Sequence, residues 1–294
     1  MSYQDNVVWI TGASSGIGRA LAEAFAAEGA HIILSGRRVD ALQKVASQLP
    51  TQSLVLPFEV TDFDAHQSLV DQAWEWSGKV DMLINNAGIS QRSLAIDTEF
   101  SVYQRVLDID LMAPISLTQA LVPRMVARGS GHIMGMSSVA GRIGPPLRTA
   151  YAAAKHGLIG YLDALRSETE SAYGLRVTTV LPGSVNTGIA INAIQADGSA
   201  RGMNDPNIED GMAPEEAARQ ILQGLAAGER EILVAEGLER SLAEMRHKED
   251  KTLFDMLAGV GAQLAEQRAE ALQQDGKEGV FVPKVNKVDT LKRE

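Results

Sequence analysis

The sequence predicts an α/β fold: a doubly wound parallel sheet of seven strands, helices on both faces, and a helical extension at the C-terminus. Three observations lead there. Short apolar runs alternate with helix-patterned segments from residue 7 to about residue 234. The runs are apolar on both sides, so a sheet built from them needs helices over each face. Each glycine-rich or polar motif falls just after a run or at the start of the next helix, where such sheets bind ligands.

The runs at 7–10, 31–34, 53–56, 81–84, 132–136, 176–181 and 231–234 are the expected strands. Between them the pattern predicts helices over 17–28, 39–48, 64–76, 99–127 and about 150–173. Right-handed crossovers then give the strand order 3-2-1-4-5-6-7. The polar, glycine-rich stretch 188–211 interrupts the alternation, with Ile189, Ile191, Ile194 and Met203 isolated in it. It reads as a mobile flap over a site. Beyond residue 234, Leu242, Met245, Leu253, Met256, Leu257, Val260 and Leu264 are spaced for one apolar helix face. A short apolar piece, Val280-Phe281-Val282, and a mixed-charge tail follow.

Hydrophobic residues make up 45% and charged residues 22% of the 294, ordinary for a chain long enough to bury a large core. A formal charge of −10 argues against a nucleic-acid footprint. No cysteine is present, which removes disulfides, thiolate metal sites and cysteine nucleophiles together. The polar start, Met1 to Asn6, is unlike a secretory signal, and no run approaches the ~18 uninterrupted apolar residues that span a bilayer. The expectation is a cytoplasmic protein with neither a membrane nor a nucleic-acid partner.

The first strand runs into Thr11-Gly12-Ala13-Ser14-Ser15-Gly16-Ile17-Gly18. Gly12 permits a tight turn, Gly16 lets backbone approach a pyrophosphate, and Gly18 lets helix pack close to sheet. Free N–H groups at the start of the helix, backed by its dipole, favour a diphosphate. The same residues satisfy Gly12-x-Ser14-x-Gly16, the nucleophile turn of serine hydrolases. That chemistry needs an oxyanion loop from an earlier strand and a late general-base histidine. Only ten residues precede the turn, and His247 on a charged helix is the sole candidate, so phosphate binding is preferred.

The second strand ends in Ser35-Gly36-Arg37-Arg38, where an NAD site usually places a carboxylate for the ribose 2′-hydroxyl. A guanidinium clasps a 2′-phosphate instead. NADP(H) is the preferred cofactor, with Arg37 the main determinant and Arg38 or Ser35 assisting. NAD(H) stays open, because an arginine pair also starts many helices.

Tyr151 has Lys155 four residues later, and Ser138 thirteen residues before it, just after the fifth strand. A helix puts i and i+4 on one face. A phenol titrates near 10 in a model peptide, and an ammonium alongside favours the phenolate. A serine hydroxyl on the neighbouring strand then holds a carbonyl or alcohol oxygen against the phenol. This is equipment for moving a proton while a hydride moves elsewhere.

Together these blocks resemble the short-chain dehydrogenase/reductase family, in its compact single-domain, Rossmann-type form, over roughly residues 5 to 235. The resemblance rests on Thr11–Gly18, Asn85-Asn86-Ala87-Gly88 after the fourth strand, Ser137-Ser138 after the fifth, Tyr151-x-x-x-Lys155, and Pro182-Gly183 after the sixth. It implies that Tyr151 is the general acid/base, that Lys155 tunes it while binding the nicotinamide ribose, and that Ser138 orients the substrate oxygen. It also implies that Asn86, Ala87 and Gly88 wall the cofactor cleft and that Pro182, Gly183, Val185 and Thr187 seat the nicotinamide. The expected activity is interconversion of a ketone or aldehyde with an alcohol by a homodimer or homotetramer, paired through the long helices 99–127 and 150–173. The expected division is a dinucleotide-binding catalytic domain at 1–235 and a helical extension at 236–294.

Two positions depart from the family. Where similar proteins carry an asparagine that holds a proton-relaying water, this chain has Asp110, whose charge would pair with Lys155. After the third strand Glu59-Val60-Thr61-Asp62 begins with glutamate where aspartate is usual. Asp110 admits a second reading, a non-catalytic NADPH-sensing regulator. A nucleotide-sugar epimerase would need a larger C-terminal domain. His31, His66, His132, His156 and His247 are not at ligand spacing, so no metal site is expected. Trp74 and Trp76 read as covers for the sheet. Arg142 and Arg148 lie between Ser138 and Tyr151; they read as solvated loop arginines, with a preference for acidic substrates as the alternative.

Overall fold

In the computed structural model, which describes residues 2–203 and 205–275, seven strands form one parallel sheet. They are β1 (Val7–Thr11), β2 (His31–Ser35), β3 (Ser53–Val55), β4 (Met82–Asn85), β5 (Gly131–Met136), β6 (Leu175–Pro182) and β7 (Glu231–Val234), ordered β3-β2-β1-β4-β5-β6-β7. The expected order and positions hold. The sheet reverses direction of growth at β1, where Val8 pairs with Ile32 on one side and Met82 on the other.

The period of two along each strand divides the core into two layers. Val8, Ile10, Ile32 and Leu34 face Leu21 and Phe25 of α1 (Gly16–Ala27) and, farther along, Ile221 of a later helix. Val7, Trp9, Ile33 and Leu83 face the opposite layer, with Leu69, Leu117, Leu121, Leu158 and Leu162. The remaining helices are α2 (Val39–Ala46), α3 (His66–Ser77), α4 (Phe100–Leu107), α5 (Ala113–Arg128), α6 (Thr149–Tyr173), α7 (Pro206–Glu209), α8 (Pro214–Ala226), α9 (Gly237–Lys248) and α10 (Asp250–Gln274). Trp74 and Trp76 pack on the second layer, and Arg124 lies over the Trp74 ring at 5.4 Å.

The helix expected over 99–127 is present but not regular. A five-residue π segment, Asp108–Met112, joins α4 to α5. Such bulges gather at functional sites, and this one carries Asp110 fully inside the protein. By length and composition Phe100–Arg128 would suffice to cross a bilayer, but Val106, Leu117, Leu121 and Met125 on it are buried against the protein's own core.

The single apolar face expected after residue 234 is two helices. The chain breaks at Glu249, with φ −143° and ψ 49°, and the phase of the pattern changes there. Leu253 is buried with Ala243, Val139, Ile143 and Ala235, while Met256 and Val260 stay exposed. The Val280-Phe281-Val282 piece lies outside the described residues.

His132 on β5 is buried, with Nε2 2.8 Å from Thr178 Oγ1. Burial, then the nearby Arg176, pulls the imidazole from 6.5 down to about 3. Above the free value neither state is protonated and the fold has its full stability. As pH falls below it, the unfolded chain takes up a proton that the fold refuses. Stability is expected to fall by ~1.4 kcal/mol per pH unit through that window, several kcal/mol in all. Denaturant titrations of His132→Asn should show a markedly flatter acid limb than the parent; equal slopes would reject this account.

Candidate active site

β1 ends in a turn that only glycine fits. Gly12 has φ +67°, and a Cβ there would lie 2.9 Å from Asn86 Nδ2 and 3.0 Å from Ala87 Cα. Thr11 Oγ1 accepts the N–H groups of Asn86 and Ala87, both at 3.0 Å, and Asn86 Nδ2 donates to Thr11 O at 2.9 Å. The end of β4 is thereby fixed against the first loop. α1 opens at Gly16 with no side-chain cap from Ser15 and no acidic residue in its first turn. Its leading N–H groups, including those of Ile17 and Gly18, suit an anion. Thr187 closes the far side: a Cβ at Gly16 would come 2.9 Å from its Cγ2. A small cleft lined by Thr11, Phe58, Val60, Ala87, Ile109 and Pro114 lies next to the end of β1. Free N–H donors, left-handed glycines and an adjoining crevice fit a dinucleotide.

The arginine pair divides. Arg38 Nη2 donates to Ser14 Oγ at 3.0 Å and Ser15 Oγ at 2.8 Å, so it reaches over the cradle. Arg37 points to Glu59, with Nη1 3.4 Å from Oε2, and remains mostly exposed. Ser35 does not face the nucleotide side; its buried hydroxyl accepts the Trp9 indole N–H at 2.8 Å. The hydrolase alternative finds no support here, since Ser14 holds a guanidinium and His247 is exposed on α9.

Ser138 follows β5, and Tyr151 and Lys155 lie on the first turns of α6; all three are buried, at 8%, 8% and 4% exposure. Lys155 Nζ donates to Met136 O at 2.9 Å, which ties α6 back to the last residue of β5. It lies 5.5 Å from the centre of the Tyr151 ring and 3.1 Å from Asp110 Oδ2. Ser137 Oγ donates to Lys155 O at 2.9 Å, and Ser138 Oγ donates to Pro182 O at 3.3 Å while accepting the Ala140 N–H at 3.1 Å. Val102, Val106, Ala154 and Ile194 pack with Tyr151. Ile194 belongs to the 188–211 stretch, which is pinned in place: its N–H donates to Ser90 O at 2.9 Å, and Arg92 N–H donates to Ile194 O at 2.9 Å.

Asp110 Oδ1 accepts the Ile89 N–H at 2.8 Å. Burial pushes its carboxyl up, against the pull of the Lys155 ammonium and that N–H. Burial pulls Lys155 down, yet Asp110 and Tyr151 together carry it above the ordinary lysine value. Gly88 completes the corner, because a Cβ there would meet Asp110 Oδ2 at 2.9 Å and Lys155 Nζ at 3.4 Å.

After β6, Gly183 N–H donates to Val234 O at 2.9 Å, and Val185 is buried beside Met212. Between them, Ser184 gives its N–H at 2.5 Å and its hydroxyl at 2.9 Å to the carboxylate of Glu239 on α9. The sequence offers no spacing that reveals Glu239. Arg142 and Arg148 are not solvated loop arginines: Arg142 pairs with Glu231, and Arg148 is only 28% exposed along its side chain. Arg92, unremarked by any motif, also joins the site. His156 turns away from Tyr151 and bonds Ala152 O at 2.8 Å through Nδ1.

The family model for short chain dehydrogenase matches residues 6–198. The chain is 39% identical over 260 residues to Dehydrogenase/reductase SDR family member 7B of Xenopus tropicalis, covering 85% of this chain and 84% of that protein. A short-chain dehydrogenase structure from Streptomyces avermitilis superposes with TM-score 0.72 at 26% identity, covering 94% of this chain and all of its own. A short-chain dehydrogenase/reductase from Burkholderia phymatum, solved in complex with NAD, superposes with TM-score 0.76 at 24% identity over 86% of this chain and 96% of its own. With the fold, the glycine cradle and these relatives in agreement, the chain belongs to the short-chain dehydrogenase/reductase family and is an oxidoreductase of the NAD(P)-dependent kind.

Proposed function

We propose that this protein interconverts a ketone or aldehyde with an alcohol using NADP(H), with Tyr151 as the proton donor and acceptor. The observation that carries the reading is the buried approach of Lys155 to the Tyr151 ring at 5.5 Å, with Ser138 buried after β5. A bound nicotinamide supplies the hydride that forms the new C–H bond. As the carbonyl π pair moves to oxygen, Tyr151 gives that oxygen its proton, and the Ser138 hydroxyl holds the oxygen in place. Lys155 stabilises the resulting phenolate until a proton returns from solvent. Pro182, Gly183, Val185 and Thr187 would seat the ring, and Asn86, Ala87 and Gly88 would wall the cofactor cleft. The preference for the 2′-phosphate falls to Arg38 over the cradle, with Arg37 beside it.

Arg38→Asp, and to a lesser degree Arg37→Asp, is expected to move the ratio of NADP(H) to NAD(H) affinities at least tenfold toward NAD(H), since a carboxylate repels the 2′-phosphate. Fluorescence titrations with both reduced nucleotides measure this, and unchanged ratios in both variants would remove the preference. Nucleotide oxidation on a panel of ketones and aldehydes tests the activity itself. Tight binding without turnover on any of them would favour the sensor reading that Asp110 suggests. The cytoplasmic, soluble homo-oligomer expected from the sequence belongs to the same proposal; size-exclusion chromatography with light scattering checks the assembly.

A further inference from the structure

Three guanidinium groups converge on one carboxylate beside Tyr151. Arg92 Nε and Nη2 donate to Asp205 Oδ2 at 2.8 and 2.6 Å, and Arg201 Nη1 donates to Oδ1 at 2.5 Å. Arg148 Nη2 stands 4.0 Å from Oδ2. The arginine side chains are 8%, 21% and 28% exposed for Arg92, Arg201 and Arg148. Three positive charges thus share one negative charge in a half-buried niche, within a chain whose net charge is −10. Glu239 lies within electrostatic reach of Arg148, but its two oxygens already accept from Ser184. Charges withdrawn from water are costly unless matched, and this niche carries a surplus.

The niche is built. Arg92 Nη1 also donates to Ser90 Oγ at 2.9 Å and Gln91 O at 3.0 Å, which fixes its fork. Leu147 holds the left-handed backbone, φ +66°, immediately before Arg148, and its carbonyl accepts the Ser93 N–H at 3.1 Å. The loop that bears Arg92 therefore sustains the strain that aims Arg148. Arg148 opens α6 three residues before Tyr151, on the same side of the helix. Burial and the Arg92 guanidinium lower its pKa, while Tyr151, Asp205 and Glu239 hold it up. Arg92 and Arg148 come from the loops around the site, whereas Arg201 and Asp205 come from the 188–211 stretch that covers Tyr151.

We infer that Arg92, Arg148 and Arg201 recognise an anionic group, a carboxylate or a phosphate, on the carbonyl substrate, and that Asp205 occupies their niche when no such group is bound. Guanidinium forks match either oxyanion in two-point geometry, which supplies register as well as attraction. The inference rests on the reading of Tyr151 as proton donor, because proximity to Tyr151 makes the niche part of the substrate site.

The test compares matched pairs: 5-oxohexanoate against its methyl ester, and 5-oxopentyl phosphate against 5-methoxypentanal, each followed by NADPH oxidation. At least one anion is expected to exceed its neutral partner tenfold or more in kcat/KM, and which one does identifies the oxyanion. Arg148→Gln and Arg92→Gln should reduce that ratio at least tenfold, chiefly through KM. Asp205→Asn should lower KM for the anion by removing its competitor. Thermal melting checks that each variant is folded, and Arg148→Gln, at the more exposed position, stands if Arg92→Gln does not fold. Neutral partners reduced as well as both anions, or variants that depress both members of a pair alike, would overturn the anion niche and leave the carbonyl reductase standing. Absence of NADPH oxidation with all four compounds and with the wider carbonyl panel would instead overturn the reductase, and the niche with it.

Discussion

Replacing Tyr151 by Phe is expected to lower kcat about a thousandfold while nucleotide affinity stays within a few fold. The substitution deletes one oxygen from a ring that is 8% exposed and packed among Val102, Val106, Ala154 and Ile194, so shape and fold survive. What is lost is the group proposed to carry the proton, and a well-placed donor contributes roughly 10²–10⁴ in rate. The cradle proposed for the diphosphate is made by the β1 turn and the start of α1, which are distant in sequence from the phenol. Steady-state rates together with a fluorescence titration of NADPH make the measurement. A Phe variant that keeps most of its rate would remove Tyr151 from the mechanism.

Asp110 gives the second large effect, and its direction depends on what replaces it. Asp110→Asn keeps the shape and an acceptor for the Ile89 N–H but deletes the charge 3.1 Å from Lys155. The ammonium then acts on the phenol without a counter-charge, so turnover near neutrality is expected to hold or rise. The limb of the pH–rate profile that reports the catalytic base should move toward lower pH. Asp110→Ala is a different matter. It leaves a buried cation without its partner, and stability is expected to drop by ~3–5 kcal/mol. Urea melts of both variants and a pH profile of Asp110→Asn separate the two effects. A collapse of Asp110→Asn activity in a stable fold would show that the carboxylate acts directly.

The fold was legible because its information is local and repeated. Val8 and Ile10 face one layer and Val7 and Trp9 the other, a period of two that reads directly from the residues. Tyr151 and Lys155 were legible for the same reason, being one helical turn apart. Residues brought together by long loops were not. Arg92 and Asp205 lie 113 positions apart, and Ser184 and Glu239 lie 55 apart, so no periodicity links either pair. The partners of the arginine pair were not legible either: Arg37 and Arg38 are adjacent, yet one bonds Glu59 and the other Ser14. The C-terminal apolar pattern misled because a break at Glu249 shifts its phase without any proline or glycine to announce it.

The bond between Glu239 and Ser184 ties the sheet to a helix made after it. In chain order all seven strands precede the carboxylate that latches the loop after β6. A chain cut just after β7 would keep every strand of the sheet yet lack that carboxylate. Its loop after β6 would lose both bonds that Ser184 makes to α9. The order of that loop therefore depends on a helix that contributes nothing to the sheet.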